Sequence, residues 1–179
     1  MDLGLDVESK EQGGQISLHK TDPIGEEGYF FLIPTPLLEE VQSLLSTHEV
    51  AFLDEAAFEI LRVEGALPKL RHELAVDFIP LETGLWEDIS FNKGCYTGQE
   101  IIARMDSRNK VRRKMVRISG GEPMQVGSDI MQAGRSIGIV TSAAGTKGLG
   151  YVKTDFLTSN EGYSVDQSGV TLTLDPNSA

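Results

Sequence analysis

The sequence predicts an α+β fold: a mixed helix-sheet domain of ferredoxin-like type over residues 1–105, then a small antiparallel β-barrel over 106–179. Two observations carry this prediction. In the first part, apolar residues recur at helical spacing in two stretches. Beyond about residue 110 they fall into short runs suited to strands, separated by glycine-containing turns. A chain of 179 residues can bury a sizeable core in one or two domains.

Gln15 to Lys20 and Tyr29 to Ile33 read as strands flanking a turn with Asp22, Pro23, Gly25 and Gly28. Pro36 then opens a helix, because its fixed φ suits a first turn and its missing N–H costs nothing there. Leu37, Leu38, Val41, Leu44 and Leu45 fall on one face of that helix. Asp54 is placed to cap a second helix with Ala57, Ile60 and Leu61 as its buried stripe. Gly65 is placed to end it, and Pro68 prevents continuation. Strands are expected at Val111 to Ile118, Ser136 to Thr141, Leu149 to Thr154 and Val170 to Leu174. Turn signals at Gly120-Gly121, Ala133-Gly134, Asn160-Glu161-Gly162 and Ser168-Gly169 separate them.

No apolar run approaches the ~20 residues that span a membrane. Met1 to Gln15 is polar and acidic, unlike a secretory signal or an Arg-rich transit peptide. A cytoplasmic or organelle-matrix setting is therefore expected, without membrane association. The single cysteine, Cys95, leaves no intrachain disulfide to form. The net charge of -11 argues against a generally polyanion-binding surface, but its distribution is uneven. Arg104, Arg108, Lys110, Arg112, Arg113, Lys114 and Arg117 are opposed only by Asp106. Such a stripe suits a defined anionic contact rather than nonspecific nucleic-acid binding. It is equally readable as a solvated strand and loop.

The most specific stretch is Asn92-Lys93-Gly94-Cys95-Tyr96-Thr97-Gly98-Gln99-Glu100. Thr97 and Glu100 have capping-box spacing ahead of Ile101-Ile102, so a helix is expected to begin near Gly98. Cys95 would then sit just before the positive end of that helix, with Lys93 two residues upstream. Dipole and ammonium both favour a thiolate, the reactive form of cysteine. The alternative is a small buried cysteine packing a strand-to-helix turn. A second segment, Arg62-Val63-Glu64-Gly65-Ala66-Leu67-Pro68, places a carboxylate against the dipole at a helix C-terminus. Glu64 can accept two parallel hydrogen bonds from a planar N–H/NH2 edge such as a pterin's. It can equally form an ion pair with Arg62 or face solvent.

Other site types lack their residues. His19, His48 and His72 show no metal spacing, and one cysteine cannot supply a zinc or iron-sulfur ligand set. No phosphate-binding loop or dinucleotide fingerprint occurs. The glycine-rich run Gly145 to Gly150 lies between expected strands and reads as a hairpin turn.

Lys93 to Glu100 resembles the K-G-C-[FY]-x-G-Q-E signature of YgfZ-type folate-binding proteins. The flanking Phe78-Ile79-Pro80-Leu81-Glu82 and Ile101 to Arg104 are similar to that family too. Arg62 to Pro68 resembles an R-x-E-x-G-x-P segment shared with aminomethyltransferases, and Gly25 to Tyr29 a G-E-x-G-[FY] turn of both groups. Ile137 to Ser142 is similar to a strand of their C-terminal barrel. The resemblance implies tetrahydrofolate binding and support of iron-sulfur client proteins, including those that modify tRNA. Glu64 would contact the pterin, with Arg62 and Tyr96 as further folate-binding candidates, and Cys95 with Lys93 would carry the chemistry. A tetrahydrofolate-dependent aminomethyltransferase is the alternative enzyme reading, and a non-catalytic interaction module binding tRNA or a protein partner through Arg104 to Arg117 a third. The resemblance begins in the middle of the family's fold, so the chain is expected to lack the N-terminal region that completes the folate pocket.

Overall fold

A β-hairpin opens the described structure. The computed structural model describes residues 15–21, 28–48, 50–86, 88–108, 111–157, 162–165 and 171–175. Two compact units divide the chain, Met1–Ala57 and Phe58–Ala179. In the first, β1 (Ser17–Thr21) pairs antiparallel with β2 (Gly28–Leu32), Ser17 opposite Leu32 and Thr21 opposite Gly28. Asp22, Pro23 and Gly25 of the expected turn lie outside the described residues, whereas Gly28 is already in β2. Pro36 is the middle residue of a 3-10 turn, Thr35–Leu37, rather than the start of the α-helix itself. That turn leads into α1 (Leu38–Thr47), which buries Val41 and half-buries Leu44 and Leu45. Asp54 caps α2 (Glu55–Glu64) as the sequence predicts: its Oδ1 accepts the Ala57 N–H at 2.7 Å.

The end of α2 corrects two expectations. Its buried residues are Arg62 and Val63, while Ile60 is 47% exposed. The hydrophobic stripe expected at Ile60 gives way because the inner face is organised around a buried guanidinium. The helix does stop after Glu64, but Ala66, not Gly65, takes the left-handed conformation (φ 54°). The Ala66 N–H reaches Val63 O (3.2 Å) and the Leu67 N–H reaches Arg62 O (2.9 Å), the paired bonds of a Schellman cap. Alanine accepts a conformation that glycine would adopt without strain because its methyl is buried beside Val63, Met115, Leu149 and Tyr151.

An irregular stretch leads to α3 (Gln99–Arg108), and six strands follow: β3 (Arg113–Gly120), β4 (Asp129–Gln132), β5 (Arg135–Ala144), β6 (Lys147–Lys153), β7 (Tyr163–Val165) and β8 (Thr171–Asp175). They close into an antiparallel barrel in the order β3-β6-β5-β4-β7-β8, with β8 returning to pair with β3. The fold is thus mixed helix and sheet with a small antiparallel barrel, as the strand texture predicts. Two barrel strands, β4 and β7, are additional to those expected. The β4-β5 connection is Ala133-Gly134, both at positive φ (48° and 75°), which matches the strand twist in a two-residue hairpin. Only Gly145 and Thr146 form the β5-β6 turn, so Gly148 and Gly150 belong to β6 rather than to a longer loop.

Alternation along the strands divides the core. Val116 and Ile118 of β3 join Ile130, Ile137, Val140, Val152 and Val165 in one cluster. Met115 points to the other face, where Leu149 and Tyr151 of β6 receive Val63 and Ala66 from the end of α2. The second cluster anchors the Arg62–Pro68 segment to the outside of the barrel.

Candidate functional site

A buried polar network fixes the end of α2. Arg62 uses all five N–H groups within the protein. Its Nε donates to Glu59 Oε2 at 3.0 Å, and Nη2 donates to Glu59 Oε1 (2.5 Å) and Ser142 Oγ (2.7 Å). Nη1 donates to Leu67 O (2.6 Å) and Glu73 Oε2 (3.3 Å). Glu73 is wholly buried and accepts in addition from Thr141 Oγ1 (2.5 Å) and the Lys69 N–H (3.0 Å). Burial opposes the charge on Arg62, but the Glu59 hydrogen bonds and the Glu73 carboxylate hold its pKa above the ordinary value. Arg62, a folate-binding candidate from the sequence, therefore positions its neighbours and has no donor left for a ligand.

Two other groups complete this polar core. His72 Nδ1 lies 2.9 Å from Thr141 O. Tyr151 Oη donates to Glu73 O at 2.9 Å and lies 2.6 Å from Thr83 Oγ1, while its ring stacks on Phe78. Burial pushes the Tyr151 phenol up to about 12, so it stays protonated. Glu73, which ties three segments together, has no signal in the sequence beyond its charge.

Glu59 gives the network a pH dependence. The Arg62 hydrogen bonds, helped by Lys69 and opposed by desolvation, lower its carboxyl from 4.5 to about 2. A depressed folded-state pKa adds stability that is present above 4.5 and lost as pH falls towards 2. We expect roughly 1–2 kcal/mol of acid-labile stability from this group, allowing for its partial exposure. Unfolding free energy measured from pH 6 to pH 2 should show that loss, and Glu59→Gln should flatten it. An unchanged profile in the variant would assign acid sensitivity elsewhere.

Glu64, next along the helix, faces outward. Its carboxylate Oε1 accepts from Lys147 Nζ of β6, and its main-chain O accepts from Arg117 Nη1 at 3.1 Å. Its ion-pair partner is thus Lys147 and not Arg62. With the carboxylate side chain 40% exposed and the lysine 53%, the pair is worth about 0–1 kcal/mol and yields readily to a better partner. Glu64, Lys147, Arg117, Ser119, Val63 and Gly148 line a cavity of about 380 Å3, within the range of small-ligand sites. A planar donor edge fits the chemistry of that carboxylate.

Cys95 is exposed, on the loop that leads into α3. The buried turn cysteine considered as an alternative is not what forms. Lys93 Nζ stands over the Tyr96 ring, 4.8 Å from its centroid, which brings these two candidates together on either side of the thiol in sequence. The helix starts at Gln99, and Gly98 at φ 90° occupies the position before it. The cap has moved one residue past Thr97, because the chain turns there through a conformation that suits glycine. Cys95 belongs to the loop before α3 and Glu64 to the end of α2, so the candidates form two groups.

The basic stripe also divides. Arg113 turns inward: its Nη2 and Nε donate to the buried Glu82 at 3.0 and 3.2 Å, and its guanidinium covers Phe78. Arg104, Arg112 and Lys114 are exposed. Lys110 and the Arg108 side chain lie outside the described residues. Among the described residues no cluster of three His, Cys, Asp or Glu side chains is placed to hold a metal, and no helix is long and apolar enough to cross a membrane.

Residues 112–178 match the family model described as CAF17, C-terminal beta-barrel domain. A chloroplastic Arabidopsis thaliana protein carrying the name transferase is 35% identical over 73% of this chain and 32% of its own length. The tRNA-modifying protein YgfZ of Aliivibrio fischeri is 43% identical over 46% of this chain and 26% of its own. An aminomethyltransferase of Moorella thermoacetica is 33% identical over 80% of this chain and 41% of its own. The chain therefore spans well under half the length of these relatives. The glycine cleavage system aminomethyltransferase T of Bartonella henselae shares the fold, with TM-score 0.74 and 21% identity over 96% of this chain and 53% of that one.

Proposed function

We propose that this chain, a YgfZ-type relative of the aminomethyltransferases whose residues 112–178 belong to the CAF17 C-terminal barrel family, is a tetrahydrofolate-binding factor. It supports the assembly or maintenance of iron-sulfur proteins, including those that modify tRNA, in the cytoplasm or an organelle matrix. Residues 1–105 are the folate-binding domain and 106–179 the barrel domain. The observation that carries this reading is the outward Glu64 carboxylate, held at a cavity by a weak ion pair while Arg62 locks the helix end behind it.

Glu64 receives the N–H/NH2 edge of the pterin in exchange for Lys147, and tetrahydrofolate supplies the planar donor that the carboxylate needs. Exposed Cys95, with Lys93 and Tyr96 beside it, is the thiol that meets the client protein. Titration calorimetry with tetrahydrofolate tests the division of roles. Glu64→Gln should weaken binding by about 1–3 kcal/mol, because a charge-assisted bond is lost while shape is kept. Cys95→Ser should leave the affinity unchanged and abolish protection of an iron-sulfur client enzyme. Equal losses of affinity from both substitutions, or no binding by the parent chain, would overturn the assignment.

A second reading has its own support: exposed Arg104, Arg112 and Lys114 make the stripe a contact for tRNA or another polyanion.

A further inference from the structure

We propose that the recess between α3 and the entry to β3 binds a phosphate monoester with an apolar body, of the chemical class of a nucleoside monophosphate. The recess has a volume of about 850 Å3, within the range of sites that enclose a small organic ligand. It is separate from the Glu64 cavity, with which it shares no lining residue.

Its two sides differ in chemistry. Ile101, Arg104 and Met105 stand at i, i+3 and i+4 of α3, hence on one helix face, and all three line the recess. Ile79 and Val111 extend the apolar wall. The cationic side is formed by Arg104 and Arg112, both exposed, and by Lys153 at the end of β6. Lys153 Nζ donates to Ser136 O, a neutral carbonyl, so its charge remains available to an anion. Arg113 and Glu82 also line the recess, but they neutralise each other through two hydrogen bonds. The lining charges outside that pair are Arg104, Arg112 and Lys153 against Asp155, a formal sum of +2 in a protein of net charge -11, and Arg104 also takes part in contacts within the protein.

This arrangement selects a ligand with a concentrated anionic end and an apolar remainder. Guanidinium groups match phosphate oxygens bidentately, and a ring lying on Ile101 and Met105 removes water that would weaken those bonds. A free phosphate lacks the second part, and a neutral nucleoside lacks the first. The same chemistry has two sources, a soluble nucleotide or one nucleotide of an RNA chain. The inference rests on the second reading above for its charge but not on folate binding.

Methyl-detected NMR of the full chain titrated with AMP, inorganic phosphate and adenosine tests it. AMP should shift the methyl signals of Ile79, Ile101 and Met105 in a saturable manner, while adenosine and phosphate each bind at least tenfold more weakly. Arg112→Gln and Lys153→Gln should each weaken AMP at least tenfold with an unchanged thermal midpoint. A single-stranded oligoribonucleotide that displaces AMP would identify RNA as the source, and one that leaves AMP bound would identify a soluble phosphoester. Absence of AMP shifts at these methyls, or equal binding of AMP and phosphate, would overturn the proposal. An oligoribonucleotide that binds through the stripe in a chain where AMP shifts no methyl would leave the polyanion contact standing and the recess refuted.

Discussion

Arg62→Ala is expected to destabilise the Phe58–Ala179 unit by about 3–5 kcal/mol, the cost of breaking a buried pair and leaving its partner charge uncompensated. The arithmetic is local. Five hydrogen bonds end on this guanidinium, and one of its acceptors, Glu73, has no exposure to solvent. Without Arg62, Glu73 must either keep a buried charge or take up a proton, and Ser142 and Leu67 O lose a donor. Denaturant unfolding measures the loss. Arg62→Lys should recover less than half of it, because an ammonium cannot reach five acceptors in one plane. Arg62→Ala together with Glu73→Leu should be markedly more stable than Arg62→Ala alone, since the stranded charge is gone. A loss under 1 kcal/mol for Arg62→Ala would mean that the network is not closed in solution.

The second large effect is expected at two glycines of the β5-β6 pair. A Cβ at Gly138 would fall inside contact distance of the Tyr151 main-chain oxygen and 3.0 Å from Val152 Cγ2. A Cβ at Gly150 would overlap the Ile139 main-chain oxygen and lie 2.8 Å from Ile118 Cδ1. In both cases the nearest obstacle is backbone, which cannot rotate away as a flexible side chain would. Gly138→Ala and Gly150→Ala should each cost about 1–3 kcal/mol, towards the upper end because the strands must part. Gly121→Ala is the control: nothing lies within 4 Å of its Cβ position, and it should be close to neutral. Thermal unfolding of the three variants decides the matter, and a neutral Gly150→Ala would mean that the two strands are less closely apposed than described.

Much of this architecture was readable from local rules, and the failures have a common cause. Asp54 capping α2 and Ala133-Gly134 joining two strands depend on residues next to one another, so their signals lie in a few letters. β4 and β7 have no such signal, because runs of four and three residues carry too little periodicity. The network around Arg62 is the instructive case. Glu59 one helical turn earlier hinted at an ion pair, but Glu73 lies 11 positions on and Ser142 80 positions on. Burial of a charge is decided by such distant partners. The pairing of Glu64 with Lys147 spans 83 positions and was invisible for the same reason. Cys95, Lys93 and Tyr96 were legible as a unit because one short loop holds them all.

Closure of the barrel by β8 against β3 has a consequence for how the protein is made. On the ribosome, β3 emerges early, and its last neighbour follows only after some fifty intervening residues, since β3 ends at Gly120 and β8 starts at Thr171. At ordinary elongation speeds that gap lasts roughly 3–10 s. Throughout it, β3 offers a row of unpaired amides and carbonyls, the kind of edge that recruits foreign strands, and β7 adds a second such row once Val165 has been made. The nascent barrel is therefore a substrate for chaperones during that interval, and a ribosome stalled between Val165 and Thr171 leaves a sheet with two open edges.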